Sequence, residues 1–194
     1  IAENLGWAEQ QPSVWWKHVV KATKNISAQV QKSTSCSMAD VVAFGISYQM
    51  HGLVAVDNNK EVLRPSIILC DSRAVQVGEK AAADIGEEKC LERLLNLPGN
   101  FTASKLKWVM ENEPDVYSKI HKIMLPGDYI AMKMTGEIKT TPSGLSEGIM
   151  WDFEGDRLAD FVLDNYGISG DLIAETVPMS SEIGRAHVCT PVTQ

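Results

Sequence analysis

The sequence has 194 residues, 44% hydrophobic and 22% charged, with a formal net charge of −7. That length allows one domain with a sizeable core, and the negative balance argues against nucleic acid or an anionic membrane as a partner. No apolar run reaches the roughly 20 residues that a membrane helix needs. No signal-peptide pattern opens the chain, which points to the cytoplasm, although the first residue is Ile1 rather than Met. Cys36, Cys70, Cys90 and Cys189 lack CxxC spacing and read as reduced, unpaired thiols, with Cys70 at a buried strand end.

Residues 6–10 read as a loop leading into a helix, and Pro12 suits its first turn. Trp16, Val19, Val20, Thr23, Ile26 and Val30 follow at the spacing of one helix face. Lys32 to Asp40 is a polar, Ser-rich connection. Val41 to Ser47 is short, apolar and β-branched, which predicts a buried central strand, with Gly45 where backbones can approach closely. It runs into Tyr48-Gln49-Met50-His51-Gly52. Leu53 to Val56 and Val62 to Leu69 are further apolar runs, joined by the turn residues Asp57-Asn58-Asn59-Lys60 and closing on Asp71. A strand thus delivers Gln49, Met50 and His51 to its carboxyl end, where ligands of open α/β sheets sit, and a hairpin follows directly.

Arg73 to Ile85 and Glu87 to Leu95 read as two helices broken at Gly86, followed by a loop over residues 97–100. Thr102 is expected to cap a helix over Ala103 to Asn112, with Leu106, Val109 and Met110 as its apolar stripe. Pro114 ends that helix or opens the next. Ile120 to Leu125 predicts a strand, Asp128 caps a helix running to Met134, and Gly136 stops it. Glu137 to Thr141 predicts a short strand, Pro142 to Gly148 a Ser/Gly loop, and Asp156 to Tyr166 an amphipathic helix ended by Gly167. Alternating strands and helices predict an α/β fold with a mixed sheet. Residues 182–194 continue no such pattern. They read as a translated sequencing-adapter string or, alternatively, a natural tail, so residues 1–181 form the domain and His187 and Cys189 are expected to pack against nothing.

Several blocks occur in an order that resembles one family. They include Gly6-Trp7-Ala8-Glu9-Gln10, Gly45 to Val56 with Gln49-Met50-His51-Gly52, Val62-Leu63-Arg64-Pro65 and Asp71-Ser72-Arg73. Further on come Pro98 to Leu106, Met124 to Tyr129, Met134-Thr135-Gly136-Glu137 and Ser146-Glu147-Gly148. Together they resemble the FGGY carbohydrate kinases, and within them the bacterial xylulokinases. The resemblance implies a ribonuclease-H-like, actin-like ATPase lobe, truncated at both ends. It implies transfer of the ATP γ-phosphoryl group to a ketopentose, with D-xylulose first among the sugars, and a homodimer is compatible with it. ATP and Mg²⁺ would be bound mainly by parts outside this chain. The family's Gly-rich phosphate hairpin would precede Ile1, and its catalytic aspartate would follow the last residue.

Neutral His51 offers one donor and one acceptor, which suits a pair of sugar hydroxyls, against the alternative of a structural histidine. Met50 either faces the sugar's C–H surface or fills core. Gln49 suits a hydrogen bond that supports the loop. Asp71 suits a sugar hydroxyl or a helix cap, the cap being the simpler reading. Asn100 falls where the resemblance expects a sugar-contacting loop, or serves a turn conformation. Leu69 stands where the family commonly shows Trp. Residues 143–148 either line the cleft or form a surface loop. Lys105 reads as solvated, Trp108 as packed, and Asp152, Glu154 and Asp156 as surface loop and cap. His18, His51 and His121 are far apart, with no carboxylate at ligand spacing, so no metal site is expected. No Walker motif or GxGxxG occurs. Beside a sugar kinase stand two alternatives: another pentulose or polyol kinase of the family, and a non-catalytic sugar-binding, actin-like module.

Overall fold

Leu53, Val54, Ala55 and Val56 are all fully buried, because both faces of this strand are covered. Side chains alternate along a strand. Leu53 and Ala55 therefore join a larger core with Ile67, Leu106, Val109 and Val162, whereas Val54 and Val56 join a smaller one with Met124, Tyr129 and Met132. Complete burial of each large aliphatic side chain contributes about 1.5–3 kcal/mol.

The computed structural model describes residues 4–178. Strand β1 (Glu9–Gln10) leads into helix α1 (Pro12–Ser33), and β2 (Val54–Val56) and β3 (Ser66–Ile67) bound a hairpin joined by the antiparallel bridges Val56↔Val62 and Leu53↔Ile67. Helices α2 (Val75–Ile85), α3 (Glu87–Leu94), α4 (Thr102–Asn112) and α5 (Pro114–Tyr117) follow. Then come β4 (Lys122–Met124), α6 (Pro126–Thr135), β5 (Lys139–Thr140), α7 (Pro142–Glu147), β6 (Trp151–Asp152), β7 (Arg157–Leu158), α8 (Asp160–Tyr166) and β8 (Glu175–Thr176). β1 pairs antiparallel with β3, and β2 with β4 in the register Val54↔Met124, Ala55↔Ile123, Val56↔Lys122. Bridges Leu53↔Ile67 and Ile123↔Ile173 connect these pairs to each other and towards β8, which runs parallel to β5. The strand pairings are mixed, as expected: among the described residues three pairs are antiparallel and one is parallel. α2, α4 and α8 pack together on one side through the larger core. α6 and the first turns of α1, through Trp15, Trp16 and Val19, cover the other side. Past Val20 the α1 stripe is only half-buried, and Ile26 is exposed.

The expected central strand over Val41–Ser47 does not form. A strand exists through its ladder of hydrogen bonds, and among the described residues none lies beside this stretch. Val42, Phe44 and Ile46 are exposed instead. Thr102 is the first residue of α4 rather than its cap, and its hydroxyl is buried without a partner among the described residues. Residues 142–147 form helix α7 rather than a loop: Thr141 caps it by accepting the Gly144 N–H at 3.1 Å, and Pro142 occupies the first turn. Asp156 lies in the turn of the β6–β7 hairpin, and α8 starts four residues later. Asp152 is buried against Arg93 rather than solvated. Cys70 is exposed, because the run that holds it has left the sheet after Ile67. Residues 182–194, with His187 and Cys189, lie outside the described residues.

Candidate active site

A cavity of about 600 Å³ opens where residues 46–51, the end of α3 with Phe101, and α7 meet. Met50 and His51 make the turn that enters β2, and both line it. His51 has a left-handed backbone (φ 58°), uncommon for a residue with a side chain. Its Nδ1 lies 2.8 Å from the carbonyl oxygen of Glu147. A carbonyl only accepts, so Nδ1 carries the proton, and in the neutral ring Nε2 is left as an acceptor. Burial pulls the imidazole below its ordinary pKa, outweighing the opposing pull of the Glu147 carbonyl and carboxylate, so the ring is neutral at physiological pH. The Phe101 ring packs edge-on against it, with centroids 4.1 Å apart. Across the mouth, the Tyr48 hydroxyl donates to Glu147 Oε2 at 2.9 Å. Burial and that carboxylate raise the Tyr48 phenol above its ordinary range, so it remains a donor. Its ring sits against Gly127 of α6, where a Cβ would come within 2.2 Å of it.

The remaining residues expected at the site stand behind the turn, not in the cavity. Gln49 Oε1 accepts the Leu69 N–H at 3.1 Å, a loop-supporting bond of the kind expected. Asp71 is fully buried and its carboxylate is saturated: it accepts from the Ala8 N–H at 2.6 Å, the Arg73 N–H at 2.9 Å and the Arg73 guanidinium at 2.7 Å. That guanidinium lies over the Trp7 ring at 3.9 Å and reaches Glu9 at 2.7 Å. Asn100 donates through Nδ2 to the Asp71 carbonyl, and its Oδ1 is buried without a partner among the described residues. Gln49, Asp71 and Asn100 thus tie the hairpin end to the amino-terminal loop and to the loop before α4. Leu69 is half-exposed and does not line the cavity.

Two features escaped sequence reading. Lys105 is fully buried, and its ammonium donates to the carbonyls of His51 at 2.7 Å and Ile68 at 3.1 Å. Burial pushes it down to about 8, while the charge of Asp71 pulls the other way. The Tyr48–Glu147 pair spans 99 positions and carries no local signal.

The cavity therefore presents one neutral acceptor, one phenol–carboxylate pair and an apolar floor, a combination suited to a small polyhydroxylated ligand. Among the described residues, no three His, Cys, Asp or Glu side chains converge. No described helix is long and apolar enough to cross a membrane.

The chain is 38% identical over 145 residues to the xylulose kinase of Escherichia coli, covering 75% of this chain and 28% of that protein. It is 30% identical over 182 residues to the xylulose kinase of Staphylococcus xylosus, covering 93% and 36%. It therefore spans about a third of the length of the curated relatives it matches. Among solved structures, a xyloylose kinase from Brucella ovis superposes with a TM-score of 0.81 at 29% identity, over 91% of this chain and 35% of that one. The glycerol kinase of Plasmodium falciparum with ADP gives 0.82 at 16% identity over 96% and 38%, a likeness of fold alone. The fold is accordingly that of an actin-like ATPase lobe. The N-terminal domain of the FGGY family of carbohydrate kinases matches residues 1–191, and the chain belongs to that family.

Proposed function

We propose that this chain is the sugar-binding part of a kinase that transfers the γ-phosphoryl group of ATP to D-xylulose, giving D-xylulose 5-phosphate. The observation that carries this reading is His51. Its proton is committed to the Glu147 carbonyl, so the imidazole offers a single fixed acceptor to a hydroxyl donor in the cavity. Met50, half-exposed beside it, supplies an apolar surface for the sugar's C–H face. Gln49, Asp71 and Asn100 hold the walls. Xylulose kinases among the relatives support the choice of sugar. ATP, Mg²⁺ and the catalytic aspartate belong to parts of the protein beyond the described residues, and the need for ATP puts the reaction in the cytoplasm.

A second reading, another pentulose or polyol kinase of the family, rests on Leu69, which stands where the resemblance expects Trp and, half-exposed outside the cavity, gives the sugar no aromatic wall. The test is to profile the full-length protein on D-xylulose, ribulose and glycerol with ATP and Mg²⁺. The highest kcat/KM is expected for D-xylulose. A preference for either other substrate would select the second reading, and no sugar-dependent ATP consumption would select a binding module.

A further inference from the structure

We infer that Lys105 is the positioning residue of this site: its buried ammonium ties the His51 carbonyl to the end of the β2–β3 hairpin and so aims the imidazole into the cavity. The inference rests on the sugar-kinase reading above. His51 holds a left-handed backbone, which for a residue with a side chain is strained and persists only where its surroundings enforce it. The enforcing contact is Lys105 Nζ, 2.7 Å from the His51 oxygen, with the Ile68 oxygen on a second proton at 3.1 Å. One cation thereby binds the turn before β2 and the chain after β3.

The ring of His51 is held by the same helix. Phe101, immediately before α4, packs on the imidazole, and Lys105 lies one turn further on, its N–H bonded to the Phe101 carbonyl at 3.0 Å. The first turn of α4 is therefore a two-point mount, with Phe101 against the side chain and Lys105 against the main chain. Packing alone does not require a cation there, since Met fills a similar volume. Removing a charge from water is costly, and the acceptors it meets are the two carbonyls, with Asp71 as the nearby opposite charge.

A double-mutant cycle in the full-length kinase tests this, reading the D-xylulose dissociation constant and the KM for ATP. Lys105→Met is expected to weaken D-xylulose binding about tenfold or more, the loss that follows from an unpaired buried carbonyl. The ATP KM should stay within about twofold. In the His51→Ala background, Lys105→Met should add less than about twofold, because it acts through His51. Full additivity of the two losses, or equal losses for sugar and ATP, overturns the inference and leaves the sugar reading standing. If His51→Ala alone leaves sugar binding unchanged, the sugar reading falls and the inference with it.

Should Lys105→Met fail to fold, the wild-type pH profile decides. The groups facing the ammonium are Asp71, Cys70, Arg73 and His51. Charge-assisted bonds weaken as Lys105 loses its proton, so D-xylulose affinity is expected to fall around pH 8. Cys70→Ser, which removes a neighbouring group whose charge helps keep the ammonium protonated, should lower that midpoint slightly and leave the fall itself in place. A flat profile, or a fall that disappears in Cys70→Ser, overturns the inference.

Discussion

The main-chain carbonyl of Glu147 accepts a hydrogen bond from His51 Nδ1–H, 2.8 Å away, and this one bond decides the tautomer of the ring. Asn tolerates the left-handed backbone and can donate to the same carbonyl, but it has nothing at the position of Nε2. His51→Asn is therefore expected to fold normally, to raise the KM for D-xylulose about tenfold and to leave the KM for ATP unchanged. Sugar use equal to wild type would show that Nε2 does not meet the substrate. The pH dependence has a definite sign. Folding lowers the imidazole pKa, so the neutral ring is favoured, and sugar affinity should fall as pH drops below the ordinary imidazole range.

Asp152 holds the β6–β7 turn. It bonds Arg93 Nε at 2.7 Å and accepts the N–H groups of Glu154 and Gly155 at 3.2 Å each. Hydrogen bonds from Arg93 hold its carboxyl down at about 2. The ionised form is thus favoured by folding. This contribution is present in full above the ordinary aspartate range and is lost as pH falls towards 2. Asp152→Asn should cost about 1–3 kcal/mol at neutral pH. Arg93 is partly open to solvent, which places the expected loss nearer the lower figure. Thermal melts at neutral and acidic pH check it: the gap between wild type and variant should narrow in acid, and an unchanged gap would contradict the assignment.

Gly78 lets α2 lie directly on the loop before α4. A Cβ there would stand 1.8 Å from the Gly99 carbonyl oxygen, a backbone atom with little room to give. Gly78→Ala is expected to destabilise the fold by about 1–3 kcal/mol through overpacking. It should also raise the sugar KM, because that loop carries Asn100 and Phe101. A fully stable variant with normal sugar use would mean that the helix can shift without consequence.

Residues 1–181 expressed alone are expected to consume no ATP with D-xylulose. Phosphoryl transfer depends on positioning and on charge neutralisation at the transferred group. Among the described residues no carboxylate cluster serves that end. Sugar-dependent turnover that survives purification to homogeneity would place catalytic groups within this chain.

The legible parts of this protein are those governed by near neighbours in sequence. The Asp57–Lys60 turn forms as read, with Lys60 N–H bonded to the Asp57 carbonyl at 3.0 Å, and Gly86, Gly136 and Gly167 end their helices. Met50 and His51 stand out in the sequence because an apolar run breaks sharply at a polar motif, and both line the cavity. What was misread depends on distant partners. Lys105 occupies an ordinary helix position, and its burial is decided by a turn 54 residues earlier. Asp152 sits in an acidic stretch that reads as solvated, and its partner Arg93 lies 59 positions away. Val41–Ser47 has the composition of a strand, but apolarity specifies a preference for burial, not the neighbour that would provide it.

The two bonds of Lys105 also fix an order of events during synthesis. They close loops of 54 and 37 residues, whereas the β2–β3 hairpin needs only its own turn. A ribosome adding about 5–20 residues per second delivers Lys105 several seconds after His51. The hairpin can pair in that interval, but the turn that carries His51 has nothing to hold its left-handed backbone until the first turn of α4 docks. The Met-His corner is therefore translated early and shaped late, and a nascent chain stalled before residue 105 carries the motif without its geometry.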